Sequence, residues 1–165
     1  MSKRRYTLSF ASLLSLATAA IATASPAMAA DGFETATASA WSTGSHFCVS
    51  NGTTPSNQTA VGCFRPSGDQ IEPGDTKVDG RRVGVRWKTS DGRSGMCVNT
   101  AGKDAVFDPV VVTSPAQGGH QCNKDFTEGI SITYRVGTCD ASVHSCNVLA
   151  NWSEWSGWIT RGTNE

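Results

Sequence analysis

The chain has 165 residues, with 14 basic and 14 acidic side chains, six cysteines, 17 glycines and five tryptophans. After an export segment is set aside, that length suits one domain and is short for two. No run of one charge sign stands out, which argues against a nucleic-acid or anionic-membrane partner, since both are held mainly through Lys and Arg.

Residues 1–29 read as a signal peptide. Lys3, Arg4 and Arg5 form its positive start, and Leu8 to Ile21 an apolar run. Ala27-Met28-Ala29 places small residues at the cleavage positions, so the mature chain is expected to begin at Ala30. The apolar run is too short and too rich in Ser and Thr to serve as a membrane span. Removing the segment leaves eleven basic against fourteen acidic residues, a net of −3. The expected product is secreted, extracellular and without a membrane span.

Residues 30–45 are small and polar and read as a lead-in or a first edge strand. Residues 46–165 read as a single β-sandwich domain. Cys48 and Cys63 bracket a polar segment containing Asn51-Gly52 and Pro55. An even number of cysteines in a small exported domain implies disulfides, and six allow fifteen pairings. Proximity and turn signals favour 48–63, 97–122 and 139–146. In the chain-entropy model, closing a loop of about 15 residues contributes roughly 3 kcal/mol.

The next stretch carries Asp69, Glu72, Asp75 and Asp79. Clustered carboxylates can collect Ca²⁺, but this spacing is not that of an EF-hand loop. Each aspartate adjoins a glycine or begins a turn, which is the expected role. Two segments then alternate with a period of two. Val83, Val85 and Trp87 alternate with Arg82, Gly84 and Arg86. Ile130, Ile132, Tyr134 and Val136 alternate with Ser131, Thr133 and Arg135. Both read as half-buried strands. Residues 106–113 offer a further strand after Pro109. Turn signals are dense at Asn51-Gly52, Asp79-Gly80, Asp91-Gly92, Gly118-Gly119 and Glu128-Gly129. No helical period is visible. The expected fold is all-β, an antiparallel β-sandwich or small barrel with three disulfides formed by Cys48, Cys63, Cys97, Cys122, Cys139 and Cys146.

Residues 63–99 contain Cys63-Phe64-Arg65-Pro66-Ser67-Gly68-Asp69, then Asp79-Gly80 ahead of the strand ending at Trp87, then Gly92-Arg93-Ser94-Gly95-Met96-Cys97. This pattern resembles a group of small secreted proteins of streptomycetes and related actinomycetes. The resemblance implies secretion, a bacterial source and a β-fold. It carries no catalytic residues.

Near the end, residues 152–158 read WSEWSGW. The first five match the pattern of class I cytokine receptors, and the seven resemble the three-tryptophan strand of thrombospondin type 1 repeats. The cysteines that follow in such a repeat, and the tandem domains of such a receptor, are missing, so the likeness is convergent. In a flat strand Trp155 would point away from Trp152 and Trp158. With three residues per turn all three would share one edge. Arg82 and Arg86 share one strand face with Gly84 as a gap between them, and guanidinium planes stack on indoles. The segment is therefore a core strand, an Arg–Trp ladder or an exposed platform for a ligand.

Catalytic signatures are missing. His46, His120 and His144 lie in polar, loop-like text. No nucleophile elbow, metalloprotease helix or phosphate loop occurs, and no cofactor motif. The thiols lack zinc-site spacing. The reading leans away from an enzyme and towards a binding module for an extracellular glycan or protein. The alternatives are a small hydrolase or toxin, and a protease inhibitor presenting residues 49–62. Oligomeric state stays open.

Overall fold

In a computed structural model, residues 30–40, 44–54, 57–102 and 118–164 are described. The signal segment, Trp41 and the strand expected at 106–113 lie outside them. Among the described residues ten strands run in chain order: β1 Ala30–Thr35, β2 Thr37–Ala40, β3 Phe47–Ser50, β4 Ala60–Arg65, β5 Gln70–Asp75, β6 Arg81–Thr89, β7 Ser94–Asn99, β8 Gly118–Asn123, β9 Ser131–Asp140 and β10 Ile159–Gly162. The only helical turn among the described residues is a 3₁₀ turn, Leu149–Asn151.

The strands form two five-stranded sheets, ordered β1-β7-β6-β9-β10 and β2-β8-β5-β4-β3. All pairings are antiparallel but one, β1 with β7. The sheets face each other across Phe64, Ile71, Val83, Val85, Trp87, Ile132, Tyr134 and Val136, with Phe126 between them. The alternation read from the sequence thus points its apolar side inward. Gly62 sits where a Cβ would lie 2.7 Å from the Val85 side chain, so the sheets approach closely there.

Residues 30–40 supply edge strands. β1 borders the first sheet and β2 the second, and the chain crosses between them at buried Ala36. Of the two readings of this stretch, the structure has the edge strand, one for each sheet. A charge cluster holds β1: Asp31 bonds Arg93 at 2.8 Å, and the Lys124 ammonium meets Asp31 at 3.5 Å and also pairs with Glu34.

The three disulfides are 48–63, 97–122 and 139–146. Cys48 and Cys63 stand directly opposite in the β3–β4 ladder. Cys97 and Cys122 link β7 of one sheet to β8 of the other. Cys139 and Cys146 close the loop after β9. Turns with positive φ fall at Gly80 and Gly92, as their Asp-Gly pairs predict. Gly118-Gly119 is instead the start of β8, because Ala40 and Ser39 of β2 pair with it.

Candidate functional site

The segment 152–158 is not a strand of the core. It runs beside β9 at an unusual pace. Ser153 exchanges backbone hydrogen bonds with Thr138, at 2.8 and 3.0 Å. The Ser156 N–H donates to the Val136 carbonyl at 2.8 Å, and the Val136 N–H donates to Ser156 Oγ at 3.0 Å. Ile159 then opens β10 opposite Tyr134. The segment advances three residues for every two of β9. That pitch brings Trp152, Trp155 and Trp158 to one side, as a three-residue repeat requires.

The side they occupy is the outer face of the first sheet. Gly84 and Gly137 stand directly opposite each other in the β6–β9 ladder. A Cβ on Gly84 would lie 2.5 Å from the Trp152 ring, and one on Gly137 would lie 2.6 Å from the Trp155 ring. The two glycines are a floor on which the two indoles lie. Trp152 is buried with Met96, Val98 and the Cys139–Cys146 bridge in a second small core, and its indole N–H donates to the Cys146 carbonyl at 2.9 Å. Trp152 and Trp155 have ring centroids 6.1 Å apart.

The next cross-strand row is Arg86 opposite Arg135. The Arg135 guanidinium lies 4.1 Å from the Trp155 centroid and 4.5 Å from that of Trp158, bridging the two rings. Arg86 and Lys88 lie 5.9 and 5.4 Å from the Trp158 centroid. The result is a ladder in the order Trp152, Trp155, Arg135, Trp158, with Arg86 and Lys88 beside its last rung. Trp152 is buried, Trp155 half-buried and Trp158 is 42 % exposed.

Of the residues singled out in the sequence, Trp152, Trp155, Trp158 and Arg86 come together. Arg82 does not. Its guanidinium donates to the Thr100 carbonyl at 3.2 Å, at the wall between two clefts of about 390 and 410 Å³. The gap left by Gly84 is filled by Trp152 and takes no arginine. Arg135 is the residue that sequence reasoning missed.

Glu154, between the first two tryptophans, has a φ of 50° and turns away from the rings. It pairs with Arg81 and accepts from Thr138 Oγ1 at 2.9 Å. Burial pushes its carboxyl up, but Arg81, Thr138 and Thr59 outweigh that and hold it below the ordinary 4.5. Asp31 is likewise pushed up by burial and held below 3.8 by Arg93 and Lys124. A depressed folded-state pKa contributes stability that is complete above the unfolded value and is lost as pH falls through the folded one. The melting temperature is therefore expected to hold down to about pH 4.5 and to drop below it, and Glu154→Gln should flatten part of that drop. Thermal melts from about pH 6 to pH 3 check this, and parallel curves for both proteins would refute the role of Glu154.

The aspartates Asp69, Asp75 and Asp79 accept from the backbone N–H groups of Phe126, Lys77 and Arg81. They do not gather: among the described residues no three His, Cys, Asp or Glu side chains are placed to hold a metal ion. His46 meets Glu72 at 2.9 Å, with side chains only 11 % and 6 % exposed. His120 lies in β8 and His144 beside the smaller cleft. The three histidines stand on separate elements, and neither cleft is lined by the His46–Glu72 pair. Within 49–62, Asn51 Oδ1 accepts from both the Thr59 and Ala60 N–H groups at 3.0 Å, which ties the ends of the loop together.

No helix of the described residues is long and apolar enough to cross a membrane. Comparison of the chain with protein-family models, with curated proteins and with solved structures finds no match.

Proposed function

We propose that this is a secreted binding module that engages an extracellular glycan or protein through the outer face of its first sheet. One observation carries the reading: Trp158 stays 42 % exposed at the end of a ladder whose other rings are packed. A large indole gains most by burial, and aromatic side chains offer wide amphipathic contact at little entropic cost. Here the rungs beneath Trp158 are seated on Gly84 and Gly137, and the Arg135 guanidinium they carry lies 4.5 Å from the Trp158 centroid, a preformed support that favours binding. The export segment, the disulfides and the resemblance to secreted actinomycete proteins support an extracellular setting.

The test is a pull-down with purified cell walls, polysaccharides and culture-supernatant proteins, comparing the natural protein with Trp158→Ala. Trp158→Ala is expected to lose about tenfold or more in affinity, the scale of a contact hot spot, while keeping its fold by circular dichroism. Equal capture of every ligand by both proteins would sink the reading.

A further inference from the structure

We infer that the ligand of this face is a carboxylated polysaccharide, a polyuronate. One sugar ring lies against Trp158 and its carboxylate is held by Arg86 and Lys88. The inference rests on the reading of the outer face as a binding surface and adds the charge and chemical class of what it binds.

The first ground is an arrangement the fold alone does not favour. Arg86 and Arg135 are direct cross-strand partners. Like charges placed opposite each other on a sheet are destabilising. Lys88, the next outer-face residue along β6, adds a third cation within 5.4 Å of the Trp158 centroid. Among the described residues none of the three is in an ion pair with a carboxylate. The nearest acid in the segment, Glu154, is committed to Arg81 and Thr138. A protein with a net charge of −3 after export has assembled uncompensated positive charge at one spot.

The second ground is the like charge gathered around Arg135. The Arg135 guanidinium stacks between Trp155 and Trp158, and its direct cross-strand partner is Arg86. The Arg135 Nε is buried and has no hydrogen-bond partner. Enclosed by protein, as Arg65 Nε and Trp87 Nε1 also are, it does not itself reach a ligand, and the guanidinium acts at this face through its charge. Burial, and then the Arg86 charge beside it, already pull the Arg135 guanidinium below its ordinary pKa. A carboxylate held by Arg86 and Lys88 would offset the repulsion between the two guanidinium groups.

The third ground is that the cations flank an exposed ring. A bare phosphate or sulfate would use the charges and leave the indole idle. A flat neutral sugar would use the indole and leave the charges idle. A pyranose stacked on Trp158 that carries a carboxylate on its ring carbon projects that group sideways, towards Arg86 and Lys88 beside the ring. A planar fork then meets a planar carboxylate, the pairing Arg makes best.

The experiment titrates the full disulfide-bonded protein with oligogalacturonate, with the methyl ester of the same polymer, with dextran sulfate and with single-stranded DNA. Oligogalacturonate should bind, its methyl ester should bind about tenfold more weakly or worse, and Arg86→Gln and Lys88→Gln should each weaken binding by about tenfold. Lys77→Gln, a cation on a distant cleft, should leave binding unchanged. Equal binding of the acid and its ester, with loss in Trp158→Ala, overturns the charge inference and leaves the proposed binding surface standing. Equal or tighter binding of dextran sulfate or DNA overturns it in favour of a general polyanion site. No binding of oligogalacturonate overturns it outright, and the binding surface is then judged by the Trp158→Ala pull-down alone.

Discussion

Replacing Cys97 and Cys122 together by alanine is expected to cost about 3.5 kcal/mol of folding stability, from the entropy of the loop they close. Their separation of 25 residues is the longest of the three bridges, against 15 and 7. The same model gives about 2.4 kcal/mol for the shortest loop. Position adds to length. Cys48–Cys63 joins neighbours in one ladder, and Cys139–Cys146 closes a local loop. Cys97–Cys122 crosses the core between the sheets, with both residues essentially unexposed. Its removal also leaves a cavity where two sulfurs packed, which adds to the loss. Denaturant unfolding of the three alanine pairs should rank 97/122 as the most damaging. A larger loss for 139/146 would mean that the outer-face core, not the inter-sheet core, governs stability.

Trp152→Ala is expected to cost about 3–5 kcal/mol, the range for emptying a buried aromatic site. Gly84→Ala should cost about 1–3 kcal/mol, as overpacking does, although it adds a single methyl group to a strand. The new Cβ would stand 2.5 Å from both the Met96 methyl and the Trp152 ring. Met96 can swing aside. Trp152 cannot, because its N–H is held by the Cys146 carbonyl and its ring is enclosed. The two substitutions share one contact, so their combination should cost less than the sum of the singles, by about 1 kcal/mol or more. Chemical denaturation of the four proteins measures this, and additivity would show that Gly84 does not serve as the seat of Trp152.

Much of the sandwich was legible because it depends on short-range pattern. The alternation at Val83–Trp87 and Ile130–Val136 gave two central strands and their inward faces. The disulfide pairing followed from spacing. What pattern could not show was where the final segment would lie. Residues 152–158 look like a last strand, yet they cover a sheet from outside, and that depends on a long-range fit. The fit did leave a trace. Gly84-Val85-Arg86 and Arg135-Val136-Gly137 are the same three residues in opposite order. Antiparallel pairing lays glycine on glycine and arginine on arginine. The mirrored triplets mark the seat of the ladder and pick out Arg135 in place of Arg82. The parallel pairing of β1 had no such trace, because a polar stretch such as 30–40 fits either direction.

The three-for-two stepping along β9 also bears on how the molecule behaves in a crowd of its own copies. A sheet border normally presents a regular row of free N–H and C=O groups, on which another chain can add a strand. At the border of the first sheet those groups on Tyr134, Val136 and Thr138 are taken by Ile159, Ser156 and Ser153. Ser153 and Ser156 are out of step with a strand repeat, so along Val136 to Thr138 no even ladder is offered for a further strand to copy. The tryptophan segment thus blunts the part of the β9 border from Val136 to Thr138, and only the four residues of β10 remain as a regular edge strand at that end of the sheet.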